Sequence, residues 1–224
     1  MKALKSTLGL LLAASLVFAT GCNKNQNASK ENETKKTITL GTQEGTKYTN
    51  EYFGLELKLP EGWTIASDEE KEAVFQTGQD VIAENNEELA EKLDLAAQRT
   101  LYLLMASKYP MTYEGPNPNV ICIAENLGLL GSASVKTGKD YIDITKTGLE
   151  QTGVPYTFSD VTTVKLGGKD FDTIEATLDA GEIILTQKYY ATVIDGYALV
   201  FINSYTNEDE AAEINAYMNS ISFK

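Results

Sequence analysis

The segment "EIILTQKYYATVIDGYALVFINSY" at residues 182–205 indicates the fold more clearly than any other part of the sequence. Its two halves, residues 182–194 and 197–205, contain many β-branched and aromatic residues, which favour strands. Only Asp195 and Gly196 separate them, and this pair is typical of two-residue turns between antiparallel strands. The segment therefore predicts a β-hairpin.

Further strand candidates lie on the N-terminal side of this hairpin. Residues 156–166 and 171–179 are separated from each other by Gly167 and Gly168, so the region predicts an antiparallel meander. Earlier in the chain, a Trp63 that follows a Pro-Glu-Gly turn is predicted to anchor the core. The remaining strand candidates are residues 36–41 and 54–60, which alternate apolar and polar residues, and the apolar residues 100–110 and 119–127.

Three segments have helical character. Residues 67–98 begin with a Ser67–Glu70 capping box, and we expect a break at Gly78 and a second helix from near Asp80. Residues 139–153 predict a helix that ends at Gly153, and residues 207–220 predict a helix capped by Asn207. We expect residues 127–138 to be a flexible connection and residues 220–224 to form a short strand. The predicted inward-facing residues are Leu89, Leu93 and Ala96 in the first segment, Tyr141, Ile144 and Leu149 in the second, and Ile214, Tyr217, Met218 and Ile221 in the third.

These elements predict an α+β fold, with helices packed against an antiparallel sheet. Three stretches resemble the PsbP-like family: "GLELKLPEGW" at residues 54–63, the helix from residue 139, and "GYALVFINSY" with "MNSISFK" near the end. The resemblance covers most of residues 48–224 and implies a PsbP-like α+β domain. Families with this fold include non-catalytic accessory and scaffolding proteins, so the resemblance implies a fold and leaves the task open.

The first residues have the pattern of an export signal. Lys2 and Lys5 precede an apolar stretch at residues 8–18, which is too short for a bilayer span of about 20 residues. The alternative is a buried N-terminal helix. A positive start, a short apolar run and small residues occur in that order. The sequence therefore favours the export signal, which spans residues 1–21, and not a buried helix.

The end of this signal resembles the bacterial lipobox. The matching residues are Ala19, Thr20, Gly21 and Cys22, with Ala19 where leucine is usual. The resemblance implies that signal peptidase II cleaves before Cys22, that the Cys22 sulfur carries a diacylglyceryl group, and that the new amino terminus is often acylated, as with palmitate. The alternative is an ordinary secretory cleavage, which would leave Cys22 free or disulfide-bonded.

The sequence thus predicts three regions. Residues 1–21 are a lipoprotein signal peptide, residues 22–36 are a lipidated cysteine and flexible tether, and residues 37–224 are a single α+β domain. The tether lacks large apolar residues and has an r.m.s. reach of roughly 20 Å if it is disordered. The membrane is a predicted partner, which the protein contacts through the lipid on Cys22. The predicted location is the cell membrane, on the side away from the cytoplasm.

Composition excludes several chemistries. The chain of 224 residues has no histidine, which rules out a Ser-His-Asp triad, a Cys-His dyad and an HExxH zinc site. Cys22 and Cys122 are its only cysteines, so a four-cysteine zinc site is impossible, and the neighbours of Cys122 suggest a small buried residue. We expect no metal, no cofactor and no catalytic residues, and the sequence does not locate a ligand site.

Charge also restricts the partners. The formal net charge of the chain is −13, and removing the four net positive units of the leader and tether leaves −17 for residues 37–224. Such a domain repels the phosphate backbone, so we expect no nucleic-acid partner. Exposed tyrosines suit partner recognition, and the candidates are Tyr109 and Tyr113 in a loop and Tyr189, Tyr190 and Tyr197 on the meander. Strand propensity favours packing in the core or on a sheet face for these residues.

The main functional hypothesis is a membrane-anchored, non-catalytic binding or accessory module, with a protein partner at the cell surface. One alternative is a surface hydrolase with two carboxyl groups roughly 5–10 Å apart. Another is a small solute-binding lipoprotein, which would need two lobes and a hinge. Whether the protein is an enzyme remains open, although the missing motifs argue against it.

Overall fold

The structure is a computed structural model that describes residues 38–83, 88 and 97–224. Its helices are Asp68–Ala83 (α1), Gly128–Ser134 (α2), Gly138–Gln151 (α3) and Glu208–Met218 (α4). Its strands are Thr42–Glu44 (β1), Lys47–Asn50 (β2), Leu55–Lys58 (β3), Thr64–Ile65 (β4), Thr100–Ser107 (β5), Asn119–Asn126 (β6), Thr157–Phe158 (β7), Thr162–Leu166 (β8), Lys169–Asp179 (β9), Ile184–Ile194 (β10), Tyr197–Tyr205 (β11) and Ser222–Phe223 (β12). The predicted α+β fold, an antiparallel meander with helices packed against it, is confirmed.

The predicted hairpin is formed by β10 and β11, with Ile194 opposite Tyr197. Asp195 has φ 49° and Gly196 has φ 80°. Two consecutive residues with positive φ make a turn whose twist matches that of the flanking strands. Aspartate tolerates the left-handed region better than most side chains, and glycine enters it without steric cost. The Asp-Gly pair therefore closes the hairpin as the sequence predicts.

The large sheet contains eight strands in the order β4-β5-β6-β11-β10-β9-β7, and β8 also pairs with β9. Strands β8 to β11 follow one another as the predicted meander. The prediction of one continuous strand over residues 156–166 is wrong. Ser159 interrupts it by bonding both ways with Glu175: its amide donates to the Glu175 carbonyl, and its hydroxyl accepts from the Glu175 amide.

A second, four-stranded sheet has the order β1-β2-β3-β12. Of the strand predicted at residues 36–41, residues 36–37 lie outside the described residues. Residues 38–41 precede β1, which begins at Thr42. The Thr39 and Leu40 carbonyls accept hydrogen bonds from the side chains of Asn50 and Tyr48. The segment is thus held by side chains of β2, not by a strand ladder.

Both faces of the large sheet are buried. Along β6, Ile121 and Ile123 belong to a core shared with α3, whereas Val120, Cys122 and Ala124 belong to a core shared with the small sheet and α4. Strand β11 alternates in the same way. Burial on both faces explains why these two strands are apolar nearly throughout.

Helix α3 packs closely on the meander. The Thr137 side chain accepts from the Asp140 amide, and the Asp140 carboxylate accepts from the Thr137 amide, which completes a capping box. Tyr141 and Leu149 are buried as predicted, and Ile144 is half-buried. Gly153 follows the helix with φ 75°, in agreement with the predicted helix end.

Two predictions about the helices are wrong. Helix α1 continues through Gly78 and Asp80 to Ala83, because one glycine costs a helix only about 1 kcal/mol and no proline follows. Residues 127–138, expected to be a flexible connection, contain helix α2, whose flanking Leu127 and Val135 are buried in the core. Leu89, Leu93 and Ala96, the predicted inner face of a second helix, lie outside the described residues.

The C-terminal predictions are confirmed. The Asn207 side chain caps α4 by accepting from the Glu210 amide. The predicted inward residues, Ile214, Tyr217, Met218 and Ile221, are all buried. Strand β12 then pairs with β3, so the end of the chain completes the small sheet.

Two glycine substitutions should have opposite effects on stability. A Cβ on Gly138, where α3 begins, would lie 2.0 Å from the carbonyl oxygen of Ala191 on β10. Gly138→Ala should therefore lower the free energy of unfolding by roughly 1–3 kcal/mol, through forced separation of α3 from the sheet. Gly78→Ala, with nothing within 4 Å of the new Cβ, should raise it by roughly 0.5–1 kcal/mol. Urea unfolding measures both; equal shifts in one direction would contradict this packing of α3.

Candidate functional site

The residues of the predicted lipid attachment site lie outside the described part of the chain. Ala19, Thr20, Gly21 and Cys22 therefore have no structural account here, and their role remains a prediction. Among the described residues, no helix is long and apolar enough to cross a membrane.

The described chain begins beside strand β5, where Leu40 lines grooves with Tyr102 and with Leu104 and Ile65. Asn50, which donates to the Thr39 carbonyl, also accepts from the amide of Phe53. The ring of Phe53 packs edge-on to Tyr197, and Tyr197 lies opposite Asn126 at the end of β6. Strand β5 starts at this same end and runs through eight residues to Ser107. Because a strand rises about 3.3 Å per residue, the loop after Ser107 lies roughly 25 Å from this end.

That loop carries an exposed pair of tyrosines. Tyr109 is 38% exposed and Tyr113 is 47% exposed. Their ring centroids are 4.5 Å apart, with an angle of 33° between the planes. Two aromatic rings in contact at the surface form a patch of the kind that is enriched in protein interfaces. The packing that the sequence favours for the candidate tyrosines is therefore wrong for Tyr109 and Tyr113, because both lie in a loop outside the sheet.

The tyrosine loop, defined here as residues 107–119, is held by its own polar residues. Asn117 is buried, and its side chain accepts from the Tyr109 amide at 3.0 Å and donates to the Tyr109 carbonyl at 2.9 Å. The Ser107 hydroxyl donates to the same carbonyl at 2.6 Å. The Asn119 side chain donates to the Asn117 carbonyl. These bonds fix the backbone beneath Tyr109.

Tyr113 is positioned by a turn and a close contact. Its amide donates to the Pro110 carbonyl at 2.9 Å. Its ring lies against Gly115, where a Cβ would come within 2.6 Å of a ring carbon. The absence of a side chain at residue 115 therefore makes room for the ring. Both tyrosines are presented on a framework that needs little reordering on binding.

A hydrogen-bonded trio supports the base of the loop. The Glu213 carboxylate of α4 accepts from the Trp63 indole nitrogen and from the Lys108 ammonium, each at 2.7 Å. The bond from Lys108 lowers the pKa of Glu213, with help from Trp63 and against the opposing effect of burial. The bond to Glu213 likewise raises the pKa of Lys108. Trp63 is half-buried and joins α4 to the loop, so it does more than the predicted core anchor.

The other candidate tyrosines pack within the protein. Tyr189 and Tyr190 are 2% and 5% exposed, and burial raises the pKa of both hydroxyls. Tyr197 is half-buried and contacts the rings of Tyr52 and Phe53. Cys122 is fully buried, and burial raises the pKa of its thiol, as expected for a structural cysteine. The sheet-packing alternative is correct for Tyr189 and Tyr190.

The described structure also contains a buried carboxylate, that of Glu125, near Tyr102. Glu125 is 1% exposed and accepts from the Tyr141 hydroxyl at 3.0 Å. Burial raises the pKa of Tyr102, and the negative charges of Glu72 and Glu125 raise it further. Glu72 and Tyr102 line a groove of ≈170 Å³, smaller than the roughly 300–1,000 Å³ of most small-molecule sites. Within the described residues, no three Cys, Asp or Glu side chains are grouped to hold a metal ion.

The sequence reveals the two tyrosines but not what holds them. The pattern of Pro, Gly and Asn in residues 110–118 marks a loop, and it gives no sign that Asn117 turns inward. The bond between Trp63 and Glu213 joins residues 150 positions apart, for which no local pattern exists. Packing of α4 against β3 and β11 brings Glu213 within reach of the turn that carries Trp63.

Comparisons with known proteins find similar solved structures but no matching family. No protein-family model matches the chain, and no curated protein matches its sequence. The chain is similar to cyanobacterial PsbP (CyanoP) from Synechocystis, at 13% identity over 82% of this chain and 96% of that chain, with a TM-score of 0.48. It is similar to LpqN, involved in cell envelope biogenesis of Mycobacterium tuberculosis, at 13% identity over 76% of this chain and 83% of that chain, with a TM-score of 0.43.

A third similar structure is from Bacteroides thetaiotaomicron, at 10% identity over 76% of this chain, with a TM-score of 0.37. This chain spans 45% of that longer protein. Because all three TM-scores are below 0.5, these likenesses do not establish a family or a function for this chain.

Acidification should change the environment of Trp63. A lowered pKa means that ionised Glu213 stabilises the fold, and this contribution is lost as the pH falls through the folded-state pKa. Because Trp63 is the only tryptophan, its fluorescence reports this site alone. We expect an emission change with a midpoint below about 4.3, the usual pKa of glutamate. Glu213→Gln keeps an acceptor for the indole and should remove the transition; the same transition in that variant would contradict the assignment.

Proposed function

We propose that this protein is a lipoprotein held at the outer face of a cell membrane through Cys22, and that its domain binds a protein partner through the tyrosine loop. The observation that carries the binding role is the exposed Tyr109–Tyr113 pair on a hydrogen-bonded framework. The anchoring role is supported by the lipobox resemblance at residues 19–22.

The physical chemistry of the loop favours recognition. Tyrosine combines a large apolar ring with a hydroxyl that bonds water or a partner, so it tolerates exposure before binding and contributes area afterwards. The bonds of Asn117 and Ser107 fix the loop before binding, which reduces the entropy that binding would otherwise cost. With no histidine in the chain, acid–base chemistry would depend on carboxylates, lysines or tyrosines.

The anchoring is tested on the native protein. Mass spectrometry of the N-terminal peptide from membranes should show a mature chain that starts at Cys22, with a diacylglyceryl group on its sulfur. The two acyl chains of this group hold a protein durably in the membrane, since each buried CH₂ contributes about 0.8 kcal/mol. Cys22→Ala should move the protein to the soluble fraction. An unmodified Cys22, or a mature chain that starts elsewhere, would contradict the anchoring.

The binding role is tested by copurification from crosslinked membranes. A double variant, Tyr109→Ala with Tyr113→Ala, should lose any partner that the native chain retains, because it removes both rings. Leu40→Ala is the matched control, since Leu40 is 46% exposed and lies outside the tyrosine loop. We expect this control to keep the partner. A partner retained by the double variant would show that the protein binds through another surface.

A further inference from the structure

The tyrosine loop lies in strongly acidic surroundings. Three segments meet there: the loop itself, the turn at residues 60–63 that carries Trp63, and helix α4, which bonds both Trp63 and Lys108 through Glu213. In these three segments Lys108 is the only basic residue. Their acidic residues are Glu61, Glu114, Glu208, Asp209, Glu210 and Glu213. The surface around the two tyrosines therefore carries a formal excess of negative charge.

Lys108, the one basic residue of these three segments, is already paired. The Lys108 ammonium lies 2.7 Å from the Glu213 carboxylate, and Glu210 also contributes to its raised pKa. Glu210 itself accepts from the amide and hydroxyl of Thr206. Glu61, Glu114 and Asp209 are exposed. Lys108 thus neutralises the charge of one carboxylate, and the remaining carboxylates give these segments a negative formal charge.

Aromatic rings and carboxylates attract the same ligand chemistry. The electron-rich face of tyrosine attracts ammonium and guanidinium groups, and nearby carboxylates strengthen this attraction at low ionic strength. The protein uses this contact within its own fold, where the Lys188 ammonium lies 5.7 Å from the centre of the Tyr190 ring. An anionic partner would face repulsion from both the loop and the domain, whose formal charge is −17 over residues 37–224.

We propose that the occupant of the tyrosine loop is a cationic segment of another protein, rich in arginine or lysine. This inference rests on the proposed role of the tyrosine loop and names the class of partner. The predicted tether of this chain is also basic, and the experiment below distinguishes it from a separate molecule.

The test measures binding of defined peptides to the full lipidated chain in detergent micelles. An arginine–glycine repeat peptide is compared with the same peptide carrying citrulline, which keeps the shape and removes the charge. We expect tighter binding of the arginine peptide, weakened by added salt. Tyr109→Leu with Tyr113→Leu keeps an apolar surface and all charges, and should weaken binding by about 5- to 30-fold, as for two lost cation–π contacts. The corresponding double phenylalanine variant should retain most of the affinity.

Four outcomes would overturn the inference. The first is equal binding of the arginine peptide to the native and double leucine chains, which would show general attraction to an acidic domain. The second is equal binding of arginine and citrulline peptides. The third is tyrosine-dependent binding of phosphatidylcholine or phosphatidylglycerol vesicles by the Cys22→Ala chain, which would make the loop a membrane contact. The fourth is a gain in peptide affinity, after Lys24, Lys30, Lys35 and Lys36 are changed to glutamine, that occurs with both tyrosines present and not in the double leucine chain, which would make the tether the occupant.

These outcomes are distinct from failure of the proposed function. If the copurified partner depends on Tyr109 and Tyr113 while arginine and citrulline peptides bind equally, the binding role stands and the cationic partner class is wrong. If the partner is retained without either ring, the proposed function itself is wrong.

Discussion

The structure depends on the pairing of β6 with β11 at the middle of the large sheet, where both faces of the two strands are buried. Each strand has side chains in two separate cores, such as Ile123 and Cys122 on β6 or Val200 and Phe201 on β11. The sheet supports both cores, because helix α3 packs on one of its faces and the small sheet with α4 packs on the other. Burial of both faces thus couples the stability of α3 on one face to that of the small sheet and α4 on the other.

This constraint also determines where a binding surface can lie. With both faces covered, the ends of the strands and their connecting loops remain the accessible places for variation. Ser107 and Asn119 are partners in the β5–β6 ladder, so the tyrosine loop starts and ends on a rigid base. Asn117 then replaces the missing ladder bonds with side-chain bonds to the backbone of Tyr109. A loop built in this way presents two aromatic rings without the mobility expected of a long connection.

The charges of the domain are organised differently from its apolar residues. The ion pairs of Lys139 with Asp143 and of Lys165 with Asp170 have both side chains more than half exposed, and such pairs contribute little to stability. The pair of Lys108 and Glu213 is half-buried and also holds Trp63, so it joins three segments of the chain. Beside it, the excess of carboxylates remains available to an approaching molecule. The tyrosine loop is therefore both held by this ion pair and bordered by acidic side chains.

The sequence by itself determined the local elements, because their signals are carried by neighbouring residues. Asp195-Gly196 specifies the central hairpin, and Asn207 and Gly153 mark helix ends, as the structure confirms. The lipobox is likewise a local pattern, and its role at Cys22 rests on the sequence alone. Tertiary structure decided what depends on distant contacts: the division into two sheets, helix α2, the inward turn of Asn117, and the bond between Trp63 and Glu213. These features have no local signal because their free energy comes from partners that only folding brings together.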